Sequence, residues 1–539
     1  MSLNREIGVK VKNGINLAVY ILMGLVFLPV LGCVFFVGNH MDYNAGLKLP
    51  FLLPSPVLFV VALVGMVICV WLIKNGEKIE LTMKRNRMIN VFLVVLFVIL
   101  FFVNQRVTRE IAYYPPWDIM VVRGAAYQIG NGEPLGYQFY FSQYPNNIAI
   151  VYILGHLYRI AKELTNYPYI YDFIWLQTNC VLFSVAGFFT CMTVKKLTRN
   201  VMTTAISFLL YVALVATSGW KIAAYTDTYG MIFPVMALFF YISYRESKQA
   251  WKKICYISLA IVFSVIGGFV KANIYILVIA IIGVEFLGLL SDFREKWKYV
   301  VLEIILTLLL FAGIGKYTDY IADEIGLIRN PEISYSWENY LLMGAHEGST
   351  GSYESEDVSL YSQYIENKAL RRPYVRKLAF DRLRSKGLVG NMWFWLRKMT
   401  MVFNDGTFGW GVEIWPYGFY YPVMSTDGAL TEFLRSFYWK GPNMGRFNTI
   451  MQFVWYFTLI GLPGVFLMKK EEREKYMIYI VAFLGVFFYQ MLFEARARYL
   501  FAFLPFLLAL AVCGMQQYIW LLRELIKRGR SCLKVKLRK

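Results

Sequence analysis

About twelve apolar runs, each roughly 17 to 24 residues and so about as long as a bilayer core is thick, dominate this chain. They begin near Ile15, Pro56, Met88, Phe173, Val201, Thr228, Ile254, Ala272, Tyr299, Thr449, Tyr476 and Leu500. Inside hydrocarbon every backbone N–H and C=O must find its partner within the protein, so such runs fold as spanning helices. The fold class expected is an all-α polytopic membrane bundle of about 12 transmembrane helices. With 58% hydrophobic and 17% charged residues among 539, and a mean hydropathy of +0.48, an ordinary soluble domain is excluded.

Charge orients the bundle. Lysine and arginine gather in alternate connections: Arg5, Lys10 and Lys12; Lys74 to Arg87; Lys195, Lys196 and Arg199; Arg245 to Lys253; Arg294 to Lys298; Lys469 to Lys475; and the tail from Arg523 to Lys539. The positive-inside rule places these connections and both termini in the cytoplasm, in a plasma membrane. It also accounts for most of the net charge of +20 without nucleic acid, leaving anionic membrane lipids as the partner that the basic surface suits. Seven cysteines lie mainly in apolar runs and form no CxxC pair, so they read as small buried apolar residues. The polar N-terminus leads into a full-length span without a small-residue cleavage site, which reads as an uncleaved anchor.

Two long outer segments break the regular pattern. The apolar stretch 147–161 is only about 15 residues, and counting it as a span would put Lys195 and Lys196 outside, so it is expected to lie at the outer interface. The organisation read from this is N-terminal spans in 1–104, a first outer loop in 105–171, a central bundle in 172–315, a large outer segment in 316–448, and C-terminal spans with a basic tail in 449–539. The second outer segment is too long for a mere connection and is expected to hold helices at 357–370, 373–386 and 388–403.

The residues suited to chemistry collect at that outer edge. Asp118 follows Tyr113, Tyr114, two prolines and Trp117, an apolar setting in which a carboxylate can act as a general base. Its structural alternative is a helix N-cap, since a helical pattern begins at Ile119. Asp227, in the loop from Ala224 to Gly230, has the same two readings; with Asp118 it could share a proton or hold a divalent metal. Lys271, Arg496 and Arg498 stand against the positive-inside bias, and a phosphate is the functional reason for cations there. Headgroup contact, or pairing of the arginines with Glu494, is the structural one. Glu285, alone inside a span, is read as a structural bond in the bundle rather than an ion path. Trp393, Trp395, Trp410, Trp415 and the tyrosines of 417–421 suit either sugar stacking or an interfacial belt. His40, His156 and His346 are too scattered for zinc.

This layout resembles the bacterial GT-C glycosyltransferases, in particular the protein O-mannosyltransferase and lipid A aminoarabinose transferase group. The resemblance rests on the basic N-terminus, the early loop with Asp118, the interfacial helix, the Tyr225, Thr226, Asp227 loop, the Lys271 helix break, and Arg498 followed by Tyr499 and Leu500 before the last span. It implies a polyprenyl-phosphate sugar donor, a cell-envelope glycan, lipid or protein as acceptor, inversion at the anomeric carbon, and Asp118 as base with Asp227 beside it. Donor phosphate would be held by Lys271, Arg496 and Arg498, and sugar or acceptor by Tyr140, Tyr144 and Asn146; no cofactor is required, with a divalent metal on Asp118 and Asp227 an option. The chain departs from that group in having Ile119 where an acid usually follows the first-loop aspartate, and two spans rather than one before that loop. The rival readings are a transporter or flippase, which calls for ionisable residues at mid-membrane, and a glycan polymerase or ligase working on the same face.

Overall fold

The computed structural model describes residues 2–37, 40–42, 47–48, 51–363, 367–413, 423 and 427–536. Trp415 and the tyrosines of 417–421 fall outside them. Apart from a short antiparallel pair, His40–Asp42 with Leu47–Lys48, the described residues form helices and connections, an all-α polytopic membrane protein. Among the described residues nine helices are long and apolar enough to cross a bilayer. The longest, 272–324, contains two of the expected runs, broken at Asp292 where φ −150° and ψ 69° leave the helical region. Two expected spans are shorter than a standard crossing. Val201–Tyr211 continues as a π-helical turn, Val212–Ala216, and the run near Thr228 divides into Thr226–Gly230 and Ile232–Glu246.

The basic connections meet at one end of the bundle. Lys12 Nζ lies 2.7 Å from Glu474, Arg245 bridges Glu474 and Glu285, Lys196 pairs with Glu246, Lys195 donates to Asn86, and Arg523 reaches Glu77. Glu285, fully buried, accepts from Tyr241, Tyr244, Arg245 and Lys296, the structural bond expected of it. In a straight helix Glu285 and Lys296 would stand about 16 Å apart along the axis; the break at Asp292 folds the chain back and lets them touch at 2.9 Å.

At the opposite end two non-spanning helices cross closely. Ile148–Leu164 packs on Asp118–Asn131, and glycines make the approach feasible: a Cβ on Gly155 would stand 2.5 Å from Ile129, and one on Gly130 2.8 Å from Tyr158. Ile148, Val151, Leu154 and Tyr158 form the buried face, while Ile153, Ile160 and Leu164 point outward. The large second segment contains Trp337–Gly344, Ser355–Gln363, Lys368–Ser385 and Gly387–Phe403. Here two expected boundaries move: the helix expected over 357–370 is Ser355–Gln363, and residues 368–370 belong to the next one. The helix expected to start at Pro373 begins five residues earlier, because the Asn367 side chain accepts from the amides of Ala369 and Leu370 and so caps it, and Pro373 is carried inside.

Candidate functional site

Trp117 takes φ 62° and ψ −139°, a backbone conformation that costs a non-glycine residue roughly 1–3 kcal/mol. That turn ends the Tyr113–Trp117 loop and starts the Asp118–Asn131 helix at Asp118 itself. Asp118 is therefore the first helical residue and makes no side-chain cap. Its Oδ2 instead accepts a hydrogen bond from the Tyr225 hydroxyl at 3.2 Å, and the residue is half-buried. Burial, and then the Asp118 carboxylate, push the Tyr225 hydroxyl far above its usual pKa, so it stays a donor.

Tyr225 precedes the short helix Thr226–Gly230, where Thr228 Oγ1 accepts from the Tyr225 amide. Because Thr228 closes that turn, Asp227 is free of capping duty. One of its oxygens lies 2.6 Å from Lys271 Nζ and the other 3.3 Å from Arg498 Nε, all three residues being at most 12% exposed at their side chains. These are ion pairs without hydrogen-bond angles, so both Asp227 oxygens and Arg498 Nε keep unspent hydrogen-bonding capacity. Lys271 ends the helix Ala250–Val270, with its ammonium 4.5 Å from the Tyr499 ring centre. Burial pulls its amine below the usual 10.5, against the opposing pull of Asp227. Arg498 joins the two acids: its guanidinium carbon is 6.0 Å from the ring centre of Tyr225, whose hydroxyl holds Asp118.

Glu413 completes the cluster, and no sequence signal pointed to it. It lies 3.2 Å from Arg498 and 3.7 Å from Arg496, while Arg496 is also 3.5 Å from Glu494. A turn built on buried Asp405 places it: that carboxylate accepts from the amides of Thr407 and Gly409 and from the Thr407 hydroxyl, and the Glu413 amide then bonds the Gly409 carbonyl. Trp410, in the same short helix Trp410–Glu413, fills the space over Gly219, where a Cβ would come within 2.0 Å of its ring. It is a buried packing residue, 5.7 Å from the Trp220 ring centre, and so neither an open sugar platform nor part of a belt.

Tyr140, Tyr144 and Asn146 stand on the Asp118 side. Asn147 Nδ2 donates to the Tyr140 hydroxyl at 2.7 Å and reaches the Tyr225 hydroxyl at 3.4 Å, and Asn146 donates to Asn147. The Tyr140 and Tyr144 rings are 5.0 Å apart, and Tyr144 lies 5.0 Å from Tyr335 of the second outer segment. Sequence reasoning named Asn146; the residue wired to Tyr140 and Tyr225 is its neighbour Asn147, whose polarity alone did not separate it. All eight sequence-selected residues thus fall in one contiguous region. The pairing of Asp118 and Asp227 as a metal site does not follow, since Asp227 faces two cations, an arrangement that repels a dication. Among the described residues no group of three or more metal-ligating side chains occurs.

The chain matches the model of a family described as conserved hypothetical integral membrane protein, over residues 11–519, and belongs to that family. No curated protein matches it, and no solved structure does.

Proposed function

We propose that this member of the family is a glycosyltransferase of GT-C-like architecture that transfers a sugar from a polyprenyl-phosphate donor to a cell-envelope acceptor on the outer face of the plasma membrane. The observation that carries the reading is the union of a half-buried carboxylate and a buried cationic cluster through one tyrosine, Asp118 to Tyr225 to Arg498. Both lie at the end of the bundle away from the basic connections, and the positive-inside rule supports reading that end as the outer one.

In the proposed step the acceptor hydroxyl approaches the anomeric carbon from the side opposite the donor phosphate. Asp118 takes the hydroxyl proton, a new bond forms between that oxygen and the anomeric carbon, and the old carbon–oxygen bond breaks with its electron pair left on phosphate. One displacement gives inversion. Tyr225, donating to Asp118 Oδ2, holds the carboxylate so that the other oxygen is the one offered to the acceptor. Lys271, Arg496 and Arg498 offset the charge that grows on the departing phosphate. Asp227 orients Lys271 and Arg498 rather than handling a proton. Tyr140, Tyr144 and Asn146 would line the sugar or acceptor side.

Glu303 is buried within the span 272–324, but the ion-paired side chains of the described residues gather towards the two ends of the bundle, which favours surface chemistry over the passage of a substrate. The test is transfer of sugar from a polyprenyl-phosphate donor by the purified protein. Asp118→Asn should lower the rate roughly 10²- to 10⁴-fold with the protein still monodisperse. Unchanged turnover in that variant would remove the base, and absence of transfer by the parent protein from any such donor would remove the reading.

A further inference from the structure

A second feature lies at the basic end, far from Asp118. Helix Met444–Gly461 continues as the 3-10 segment Leu462–Leu467, and glycines press that segment onto the last helix. A Cβ on Gly464 would stand 2.0 Å from the Gly514 carbonyl oxygen, and one on Gly461 2.8 Å from that of Ala511. The segment touches the first helix, Ser2–Phe36, only at its edge. Between them runs a groove of about 420 Å³, walled by Ile21, Gly24 and Leu28 on one side and Pro463 and Phe466 on the other. Ile21 and Leu28 are more than half exposed, so the groove opens to the surrounding bilayer.

The groove's own lining is almost wholly apolar, and Arg473 borders it. Arg473 lies beside Glu474, a member of the basic-end network, and its guanidinium carbon is 5.2 Å from the ring centre of buried Tyr20, which itself meets Phe466 edge-on. Backbone carbonyls hold the guanidinium in place: Nε donates to Met468 at 3.0 Å and Nη2 reaches Phe466 at 3.5 Å. Among the described residues no carboxylate pairs with it, and exposed Lys469 stands one helical turn away. An apolar groove bordered by a cation held in place at the basic end of the bundle matches one ligand chemistry: a hydrocarbon tail attached to an anionic phosphate.

We infer that this groove is a specific site for an anionic phospholipid of the basic-side leaflet, with one acyl chain along Gly24 and its phosphate on Arg473. It is independent of the glycosyl-transfer reading. The experiment is native mass spectrometry of the full-length protein titrated with phosphatidylglycerol, phosphatidylcholine and inorganic phosphate. Phosphatidylglycerol is expected to be retained preferentially and inorganic phosphate not at all. Arg473→Gln should weaken that retention about fivefold and Arg473→Lys should restore most of it. Gly24→Leu, which places a side chain toward Phe466, should weaken it without removing a charge. Equal retention of the two lipids, full competition by inorganic phosphate, or no effect of either Arg473→Gln or Gly24→Leu would overturn the site. Should Arg473→Gln fail to fold, Gly24→Leu and the lipid preference of the parent protein still decide.

Discussion

Asp118 follows Tyr113, Tyr114, two prolines and Trp117 and begins a helix, a place where an acid suits N-cap and base alike. Trp117 removes the N-cap reading: its positive φ starts the helix one residue early and turns the carboxylate to Tyr225. Tyr225→Phe removes a hydrogen bond to a charged group and should lower transfer about tenfold, less than Asp118→Asn, with donor KM little changed. Lys271 adds a pH dependence. Burial lowers its pKa from 10.5, so the cation proposed to bind the donor phosphate is lost on the alkaline side at a pH below that value. A pH profile of kcat/KM should show this alkaline limb, and Lys271→Arg, whose guanidinium does not titrate there, should abolish it.

At the scale of elements, the long segment 316–448 and the Arg496–Arg498 loop are stitched together by Lys398. Its buried ammonium donates to the carbonyls of Gly344, Met491 and Phe493, at 2.8, 3.0 and 2.9 Å. Backbone bonds from Glu494 to Tyr340 and from Ala495 to Gly351 extend the seam. Lys398→Met leaves three carbonyls without partners and should cost roughly 3 kcal/mol or more, read as a lower melting temperature and faster proteolysis between Trp337 and Phe403. Donor KM should rise as well, since the seam runs directly into Glu494 and the two arginines. None of this was legible beforehand. Helices near 388–403 could be read from their pattern, but a lysine's choice of three carbonyls depends on where distant chain ends meet. Glu413 was hidden for the same reason, being placed by the Asp405 turn more than 80 residues from the arginines it meets.

For the whole molecule, hydropathy and charge carried most of the architecture, because the bilayer imposes one length and one solution for the backbone. The two shorter spans and the reversal at Asp292 escaped, since each depends on packing against neighbours rather than on local composition. The orientation has a direct check. A cysteine placed at exposed Glu133 (Glu133→Cys) should react with a membrane-impermeant maleimide in intact cells, and one at Lys78 (Lys78→Cys) only after permeabilisation; the reverse pattern would turn the protein over. The cluster around Asp227 has a consequence of a different kind. Lys271, Arg496 and Arg498 are matched by Asp227, Glu413 and Glu494, so the cluster is close to neutral and projects little field into solution. On the proposed reading a donor phosphate is therefore not drawn in from a distance; it arrives by diffusion in the plane of the membrane and trades places with a carboxylate. Recognition is then an exchange of one counter-ion for another, and raising salt from 50 to 300 mM, which weakens electrostatically steered encounters, should leave donor KM within about twofold.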